Sequence, residues 1–315
     1  MNQPARNLPQ LNPELFLTDG GIETTLIFHE GFDLPHFAAF VLLRDKKGQQ
    51  ALVDYYERYL SVAREEQLGF ILETPTWRAS NDWGQKIGYT NDDINAVNED
   101  AIYLMKKIAD KHCNSVGPLV ISGCVGPRGD GYDPGEIMTV DEAQHYHTHQ
   151  VEAFKNAGAD LITAITITNI NEALGITRAA MSLDIPVVIS FTLETDGHLP
   201  TGMSLKEAVK TIDLETDSAP VYYMITCAHP THFDFMLPQG EDWVTRIRGL
   251  RANASCRSHQ ELDEAPDLDM GDPDELGKQY RALRKAHPQI TVLGGCCGTD
   301  HRHISSISKA CRLVT

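Results

Sequence analysis

Cysteine is scarce in this sequence, which has seven cysteines among 315 residues. The number is odd, and two of them, Cys296 and Cys297, are adjacent. Secreted domains held together by disulfides use many cysteines, usually in even number, so this pattern argues against an extracellular disulfide framework. We therefore expect a cytoplasmic protein with reduced thiols.

Long apolar runs are also missing. No stretch reaches the roughly eighteen uncharged apolar residues that are typical of a membrane span. The segment from Met1 to Glu14 contains Asn, Gln and Pro without an apolar run, so it resembles neither a signal peptide nor a transit sequence. We expect no membrane association from these features.

Positive charge is in short supply, because 27 Lys and Arg stand against 44 Asp and Glu, a net charge of −17. Such a chain repels phosphate backbones and anionic lipid headgroups. We predict small-molecule partners rather than nucleic acid or a membrane surface. The oligomeric state is left open.

Short apolar runs alternate with longer segments of helical spacing, a pattern typical of βα units around a parallel sheet. Strands are predicted over Leu15–Thr18, Phe70–Glu73, Leu119–Gly123, Leu161–Thr166, Val187–Phe191, Tyr222–Cys227, Ile247–Arg251 and Ile290–Leu293. Helices are predicted over Gln49–Gln67, Asp92–His112, Val140–Asn156, Ile170–Leu183, Leu205–Thr216, Gly240–Arg246, Asp274–His287 and Ile304–Arg312.

Eight such pairs favour an α/β fold, a closed (β/α)₈ TIM barrel, as a single domain over residues 1–315. A doubly wound sheet with an extra lobe is the alternative. The acidic segment Glu261–Glu275 is predicted to be an exposed loop before the seventh helix.

Three cysteines stand where barrel chemistry is expected. Cys227 ends the sixth predicted strand, and Cys296 and Cys297 follow the eighth within Gly294–Thr299. The carboxyl ends of barrel strands open onto one face, so these thiols can converge, and the neighbouring glycines allow a sharp backbone bend. Three thiolates around Zn²⁺ leave one tetrahedral position open, which is typical of a catalytic zinc.

The alternative is that these three residues are small, buried apolar side chains without a metal. If zinc binds, it would deprotonate a substrate thiol placed in the open position and keep that sulfur nucleophilic. Cys124 and Cys256, which also lie near strand ends, are reserve ligands.

Several motifs together resemble a known family, the zinc-dependent homocysteine S-methyltransferases, which include the betaine-homocysteine and S-methylmethionine-homocysteine enzymes. The resemblance covers nearly the whole chain. It is carried by Thr18–Gly21 with Glu23-Thr24, Gly123–Pro127, Ser190-Phe191, Cys227 with Pro230, and Gly294–Thr299. It implies the (β/α)₈ barrel, and Cys227, Cys296 and Cys297 as the zinc ligands.

The resemblance also implies a substrate pocket. Asp19 and Gly20 match positions beside the amino and carboxylate groups of homocysteine, and Thr74 and Thr166 line the same pocket. Asp19 would pair with an ammonium group, while backbone N–H groups of the Gly20-Gly21 turn would bind a carboxylate.

Two departures from the family pattern concern the acceptor. The fourth strand of the family usually ends in Glu-Thr, with the Glu as a partner for the ammonium, whereas this chain has Ile165-Thr166. Thr226 replaces the Asn that often precedes the strand-six cysteine. Either a glutamate compensates, or the acceptor has no amino group at that place. The candidate glutamates are Glu23, Glu73 and Glu194.

Other residues are assigned weaker roles. His145, His147 and His149 are predicted to be exposed on an outer helix, and His229, His301 and His303 to support loops near the cysteines. Aromatic side chains after strands two and three could form a wall that faces a cationic donor or simply pack under loops. These are Trp77, Trp83, Tyr89 and Tyr132.

The predicted function is a zinc-dependent S-methyltransferase. The chain lacks the long carboxyl-terminal extension of the betaine enzymes and shows no cobalamin or folate module. The resemblance therefore implies a sulfonium donor, S-methylmethionine or S-adenosylmethionine, and homocysteine as the thiol that becomes methionine. The alternatives are a different thiol acceptor and a non-catalytic zinc-binding barrel.

Overall fold

The structure is a computed structural model that describes residues 8–265 and 267–312. Eight parallel strands form a closed barrel in chain order, with β1 also paired to β8. The strands are β1 Phe16–Leu17, β2 Gly69–Glu73, β3 Leu119–Val125, β4 Leu161–Ile167, β5 Val187–Thr192, β6 Tyr222–Thr226, β7 Ile247–Ala252 and β8 Val292–Gly295. The predicted (β/α)₈ barrel is thus confirmed. Residues 1–7 of the amino-terminal segment and Pro266 of the acidic segment lie outside the described residues.

The outer layer consists of helices that follow most of the strands. They are α1 Lys46–Glu66, α2 Asn91–His112, α3 Val140–Ala157, α4 Ile170–Ser182, α5 Leu205–Thr216, α6 Pro273–Ala286 and α7 His301–Arg312. The fully described connection 227–246 holds three short 3₁₀ helices instead of an α-helix. The last of these, Asp242–Arg246, replaces the short helix predicted near that place.

Local sequence signals explain where several helices begin and end. Thr139 and Ser204 form capping boxes at the starts of α3 and α5, in which each side chain accepts from the N–H three residues on. Gly158 ends α3 with φ 82°, a left-handed conformation that favours glycine.

The predicted exposed loop over Glu261–Glu275 differs from the structure at its start, and the helix predicted from Asp274 begins one residue earlier, at Pro273. A short helix, His259–Asp263, begins at a capping box formed by Ser258 and Glu261. At the other end, the Asp272 side chain accepts from the N–H groups of the first turn of α6. The sequence contains both signals, Ser-x-x-Glu and Asp-Pro.

The core has two parts, and together they place the site at one end of the barrel. The larger part fills the space between strands and helices, and its members include Leu17, Phe70, Ile162 and Tyr223. The smaller part fills the barrel interior toward the amino ends of the strands, where Phe16, Tyr222, Met224 and Leu8 are buried. In the described part of the chain, side chains therefore fill the interior toward the amino ends of the strands, and the pocket lies at the carboxyl ends. Within the described part of the chain, no helix combines the length and apolar character needed to cross a membrane.

Candidate metal centre and substrate pocket

A pocket of about 360 Å³ opens at the carboxyl ends of the strands. It brings together residues that are far apart in the sequence, from the loop after β1 to the loop after β8. All seven residues predicted for the site line this pocket: Asp19, Gly20, Thr74, Thr166, Cys227, Cys296 and Cys297.

The three predicted zinc ligands meet at this pocket. Their sulfur atoms all lie within 4.8 Å of one another. The sulfurs of Cys296 and Cys297 are 4.0 Å apart, close to the edge of about 3.8 Å that a zinc–sulfur distance of about 2.3 Å gives in a tetrahedron. Cys227 has φ 51°, a strained conformation for a residue with a Cβ atom, and it places the thiol at the mouth of β6. The donor set therefore fits a metal that prefers thiolates.

Cys227 and Cys296 are joined as a disulfide in this structure, whereas the sequence predicted reduced thiols. The physical reason is proximity, because two cysteines held close enough to share one metal ion are also close enough to bond to each other. Cys297 remains a free thiol, as do Cys113, Cys124, Cys256 and Cys311. Metal binding by all three site cysteines requires the Cys227–Cys296 pair to be reduced.

The cysteines are held by neighbouring polar groups. The Cys227 carbonyl accepts a hydrogen bond of 3.1 Å from Asn253 Nδ2 and lies 2.7 Å from His259 Nε2, which must donate because a carbonyl only accepts. The His259 ring stacks on Tyr132 at 3.9 Å between centroids. The Tyr132 hydroxyl in turn donates to Cys297 Sγ at 3.2 Å. This chain of contacts ties both cysteine loops together.

Burial raises the pKa of the Cys297 thiol, and the hydrogen bond from Tyr132 opposes that shift only in part. A buried thiolate at neutral pH needs positive charge nearby. A bound metal ion would supply that charge.

Arg251, at the end of β7, is a central residue that the sequence reasoning missed. Its guanidinium lies between two buried carboxylates and pairs with Asp19 at 2.7 Å and with Glu73. Tyr55 also donates to Asp19 at 3.0 Å. Both Asp19 carboxylate oxygens therefore already have protein partners, and the pairing of Asp19 with a substrate ammonium stays a prediction. The one available signal was an arginine at the end of an apolar run.

One N–H of the Gly20-Gly21 turn already has a partner. The Gly21 N–H donates to the Thr299 carbonyl at 3.1 Å, and carboxylate binding by the turn stays a prediction. A Cβ at Gly20 would lie 2.9 Å from the Thr299 carbonyl oxygen and from the Tyr59 hydroxyl. Glycine is needed here because β1 and the loop after β8 approach closely.

Thr74 and Thr166 are buried at the pocket wall. Thr74 Oγ1 accepts from the Cys124 N–H at 2.9 Å. Thr166 has φ 59° and lies where the pairing of β4 with β5 is irregular. Its hydroxyl accepts from Trp77 Nε1 at 2.7 Å. Beside it, Ile165 presents an apolar side chain to the pocket.

The reserve ligands and the aromatic wall are only partly at the site. Cys124 lines the pocket but lies outside the three-sulfur cluster, and Cys256 is an exposed thiol elsewhere.

Of the predicted aromatic wall, Trp77 and Tyr132 line the pocket. The other two predicted wall residues do not: Trp83 packs its ring on the Arg78 guanidinium, and Tyr89 packs on Phe40. Two phenylalanines that the sequence reasoning missed, Phe28 and Phe37, stand exposed at the mouth.

The histidines lie outside the pocket lining. His145 and His149 are exposed on α3 as predicted, but His147 is 1% exposed. The prediction is wrong for His147 because it faces α4, where its Nε2 lies 2.9 Å from Glu172. His229 Nδ1 lies 2.8 Å from the Thr231 hydroxyl of its own loop, whereas His303 Nε2 lies 2.8 Å from the Met270 carbonyl oxygen of the loop before α6.

The pocket is strongly acidic. Two cations line it, Arg78 and Arg251, against seven carboxylates: Asp19, Glu23, Glu73, Asp130, Asp263, Asp267 and Asp269. Burial, with a contribution from Asp19, raises the pKa of Glu23 from 4.5 to about 7. Burial also raises the pKa of Glu73 to about 6, although Arg251 opposes the shift. Such a lining favours a ligand that carries positive charge.

The fold and the site together define a (β/α)₈ barrel with a three-cysteine cluster at its carboxyl end. The chain matches the family model for homocysteine S-methyltransferase over residues 16–311. It therefore belongs to the homocysteine S-methyltransferase family, and the resemblance inferred from the sequence is confirmed.

Individual relatives are distant. The chain is 24% identical to Homocysteine S-methyltransferase 2 of Arabidopsis thaliana over 208 residues, which are 62% of this chain and 60% of that protein. It is 25% identical to Selenocysteine Se-methyltransferase of Brassica oleracea var. italica over 220 residues, 65% of this chain and 61% of that protein. The chain thus spans less than two thirds of the length of these relatives.

A solved structure shares the fold over the full length. The homocysteine methyltransferase MmuM of Escherichia coli superposes in its oxidized form with a TM-score of 0.74 and 20% identity, covering 98% of this chain and 99% of that chain. Its metallated form gives a TM-score of 0.70 at 21% identity. At such identities the likeness concerns the fold alone.

Proposed function

We propose that this protein is a zinc-dependent S-methyltransferase that moves a methyl group from a sulfonium donor to the thiol of homocysteine, giving methionine. The observation that carries the proposal is the convergence of the Cys227, Cys296 and Cys297 sulfurs within 4.8 Å at an acidic pocket. Family membership supports methyl transfer to a thiol. The proposal places the reaction in the cytoplasm, where thiols are kept reduced.

Cys227, Cys296 and Cys297 would hold the zinc. When bound by three thiolates, zinc would keep an acceptor sulfur in its thiolate form at neutral pH. The chain's own residues then orient the ligands of the site. Asn253 and His259 fix the Cys227 backbone, and Tyr132 donates to Cys297.

The chemistry needs little proton transfer from the protein. The acceptor thiol releases its proton to solvent water, its sulfur forms a new bond to the methyl carbon, and the carbon–sulfur bond of the sulfonium breaks. The bonding electron pair stays on the departing thioether, which is neutral and needs no acid. The pocket therefore has to bring donor and acceptor in line, and placement at about 3–3.5 Å supplies much of the rate.

The acidic lining supports a cationic donor such as S-methylmethionine or S-adenosylmethionine. Asp263 and Asp267 are exposed at the mouth, and the Trp77 and Tyr132 rings lie further in. Carboxylates attract a sulfonium over distance, and aromatic faces stabilise it at contact. The neutral thioether product loses both interactions.

The experiment is detection of methionine by mass spectrometry from reduced, zinc-loaded protein given homocysteine and one donor at a time. Homocysteine with a deuterated carbon chain separates methionine made from homocysteine from methionine left by S-methylmethionine. We expect labelled methionine only when zinc is present. Equal turnover after complete removal of zinc would refute zinc dependence.

The variant Cys297→Ser tests the metal centre, and Cys256→Ser is its matched control because Cys256 is an exposed cysteine outside the cluster. The first should lose zinc and turnover together, and the second should keep both. If Cys297→Ser retained full zinc content and full turnover, Cys297 would not be a ligand.

One observation favours a second acceptor. Ile165 makes the end of β4 apolar, and Arg251 already neutralises Asp19 and Glu73. A thiol without an amino group would meet fewer unpaired groups there. Zinc-dependent methylation of such a thiol but not of homocysteine would support this alternative. Zinc binding without methylation of any thiol would support a non-catalytic barrel.

A further inference from the structure

We propose that Glu23 is the residue that binds the ammonium group of the acceptor, in place of a glutamate at the end of β4. The inference rests on the proposed function and adds a specificity-determining residue to it. It depends on which pocket carboxylates are already neutralised and on where Glu23 lies relative to the cysteines.

Three of the pocket acids already have cationic partners. Asp19 and Glu73 share Arg251. Asp130 pairs with Arg78 at 2.9 Å. These three carboxylates are therefore satisfied before any substrate arrives.

The remaining acids differ in depth. Asp269 accepts from the Ser255 hydroxyl at 2.7 Å, and Asp263 and Asp267 are exposed at the mouth. Glu23 is half-buried, and among residues 8–265 and 267–312 no cation forms an ion pair with it; only its own backbone N–H is a hydrogen-bond partner. It is thus the deeper carboxylate without an ion-pair contact in the described residues, although Arg78 and Arg251 act on it from a greater distance.

Glu23 also lies beside the loop that carries two of the cysteines. Its neighbour Thr24 accepts from the Gly298 N–H at 3.4 Å, and a Cβ at Gly21 would lie 2.7 Å from the Cys296 carbonyl oxygen. Glu23 and Cys297 also line the same pocket. In homocysteine the nitrogen is separated from the sulfur by three carbons, a reach of about 4–5.5 Å. An acceptor sulfur at the cysteine cluster therefore brings its ammonium to the wall that Glu23 occupies.

Ile165 is the apolar residue that stands in place of a glutamate at the end of β4. It offers the ammonium no carboxylate on the β4 side, so a carboxylate must come from another part of the wall. An ammonium left unpaired in this pocket would lose several kcal/mol of hydration without compensation. Glu23 is the side chain placed to prevent that loss.

The test compares two acceptors in the wild-type protein and in Glu23→Gln, which keeps size and removes charge. The acceptors are homocysteine and 4-mercaptobutanoate, which has the same thiol and carboxylate but no amino group. We expect kcat/KM for homocysteine to fall about 10- to 100-fold in the variant, since hydrogen bonds to charged groups contribute that much. For 4-mercaptobutanoate, and for the KM of the donor, we expect changes below about twofold.

Glu14→Gln is the matched control, because Glu14 is an exposed glutamate outside the pocket. Zinc content and circular dichroism establish that each variant is folded and loaded. An equal loss for both acceptors, or a rise in the KM of the donor alone, would overturn the assignment of Glu23 while leaving the proposed function intact. Failure of the wild-type protein to methylate homocysteine would overturn the proposed function itself.

Discussion

The substitution Glu23→Gln should also change how stability depends on pH. Burial raises the pKa of Glu23 from 4.5 to about 7, with Asp19 adding to the shift and Arg78 and Arg251 opposing it. An acid with a raised pKa holds its proton more tightly in the folded state. Its favourable contribution is complete below about pH 4.5 and is lost as the pH rises through about 7.

The magnitude follows from the size of the shift. At about 1.4 kcal/mol per pKa unit, the full shift corresponds to about 3 kcal/mol. Glu23 is half-buried, so water screens the charge, and we expect about 1–2 kcal/mol. Glutamine carries no charge, and Glu23→Gln should therefore be more stable than the wild-type protein by that amount at about pH 8.

The assay is urea unfolding of both proteins at about pH 4 and about pH 8, in the same metal state and under reducing conditions. The two free energies of unfolding should be nearly equal at the lower pH and should diverge at the higher one. Glu14→Gln, an exposed glutamate, should match the wild-type protein at both. A Glu23→Gln protein that is no more stable than wild type at about pH 8 would refute the view that an uncompensated charge is buried there.

Two further predictions concern the supports of the site. Arg251→Met leaves Asp19 and Glu73 buried without their cation, and it should lower the free energy of unfolding by about 3–5 kcal/mol; a loss below 1 kcal/mol in urea unfolding would contradict the ion-pair assignment. Tyr132→Phe removes the hydrogen bond to Cys297 and should weaken zinc binding about tenfold. Competition with a chromophoric chelator measures this change, and an unaltered affinity would show that the hydroxyl does not support the sulfur.

Much of the fold could be predicted from the sequence because a parallel barrel covers both faces of its strands. Strands such as β4 and β5 are buried along their whole length, so they appear as apolar runs that are easy to recognise. The bounds of the short strands β1 and β8 were harder to predict. The predicted range for β8, Ile290–Leu293, begins and ends earlier than the observed Val292–Gly295, because the glycines at its end carry no apolar signal.

The site, like the fold, could be predicted from the sequence only in part. The convergence of Cys227 with the Cys296-Cys297 pair follows from barrel topology and could be predicted. The pairing of Asp19 with Arg251 could not, because it joins residues 232 positions apart and depends on the register with which the barrel closes. Sequence patterns show which elements form, but they do not show which side chains meet across the barrel mouth.

The pairing of β1 with β8 has a consequence for biosynthesis. The pocket takes Asp19 from the loop after β1 and Cys296 and Cys297 from the loop after β8. Translation proceeds from the amino terminus, so the last of these residues leaves the ribosome long after the first. A nascent chain that still lacks β8 has neither a closed barrel nor the adjacent cysteine pair. The cluster of Cys227, Cys296 and Cys297 therefore cannot form until β8 has been synthesised and paired with β1.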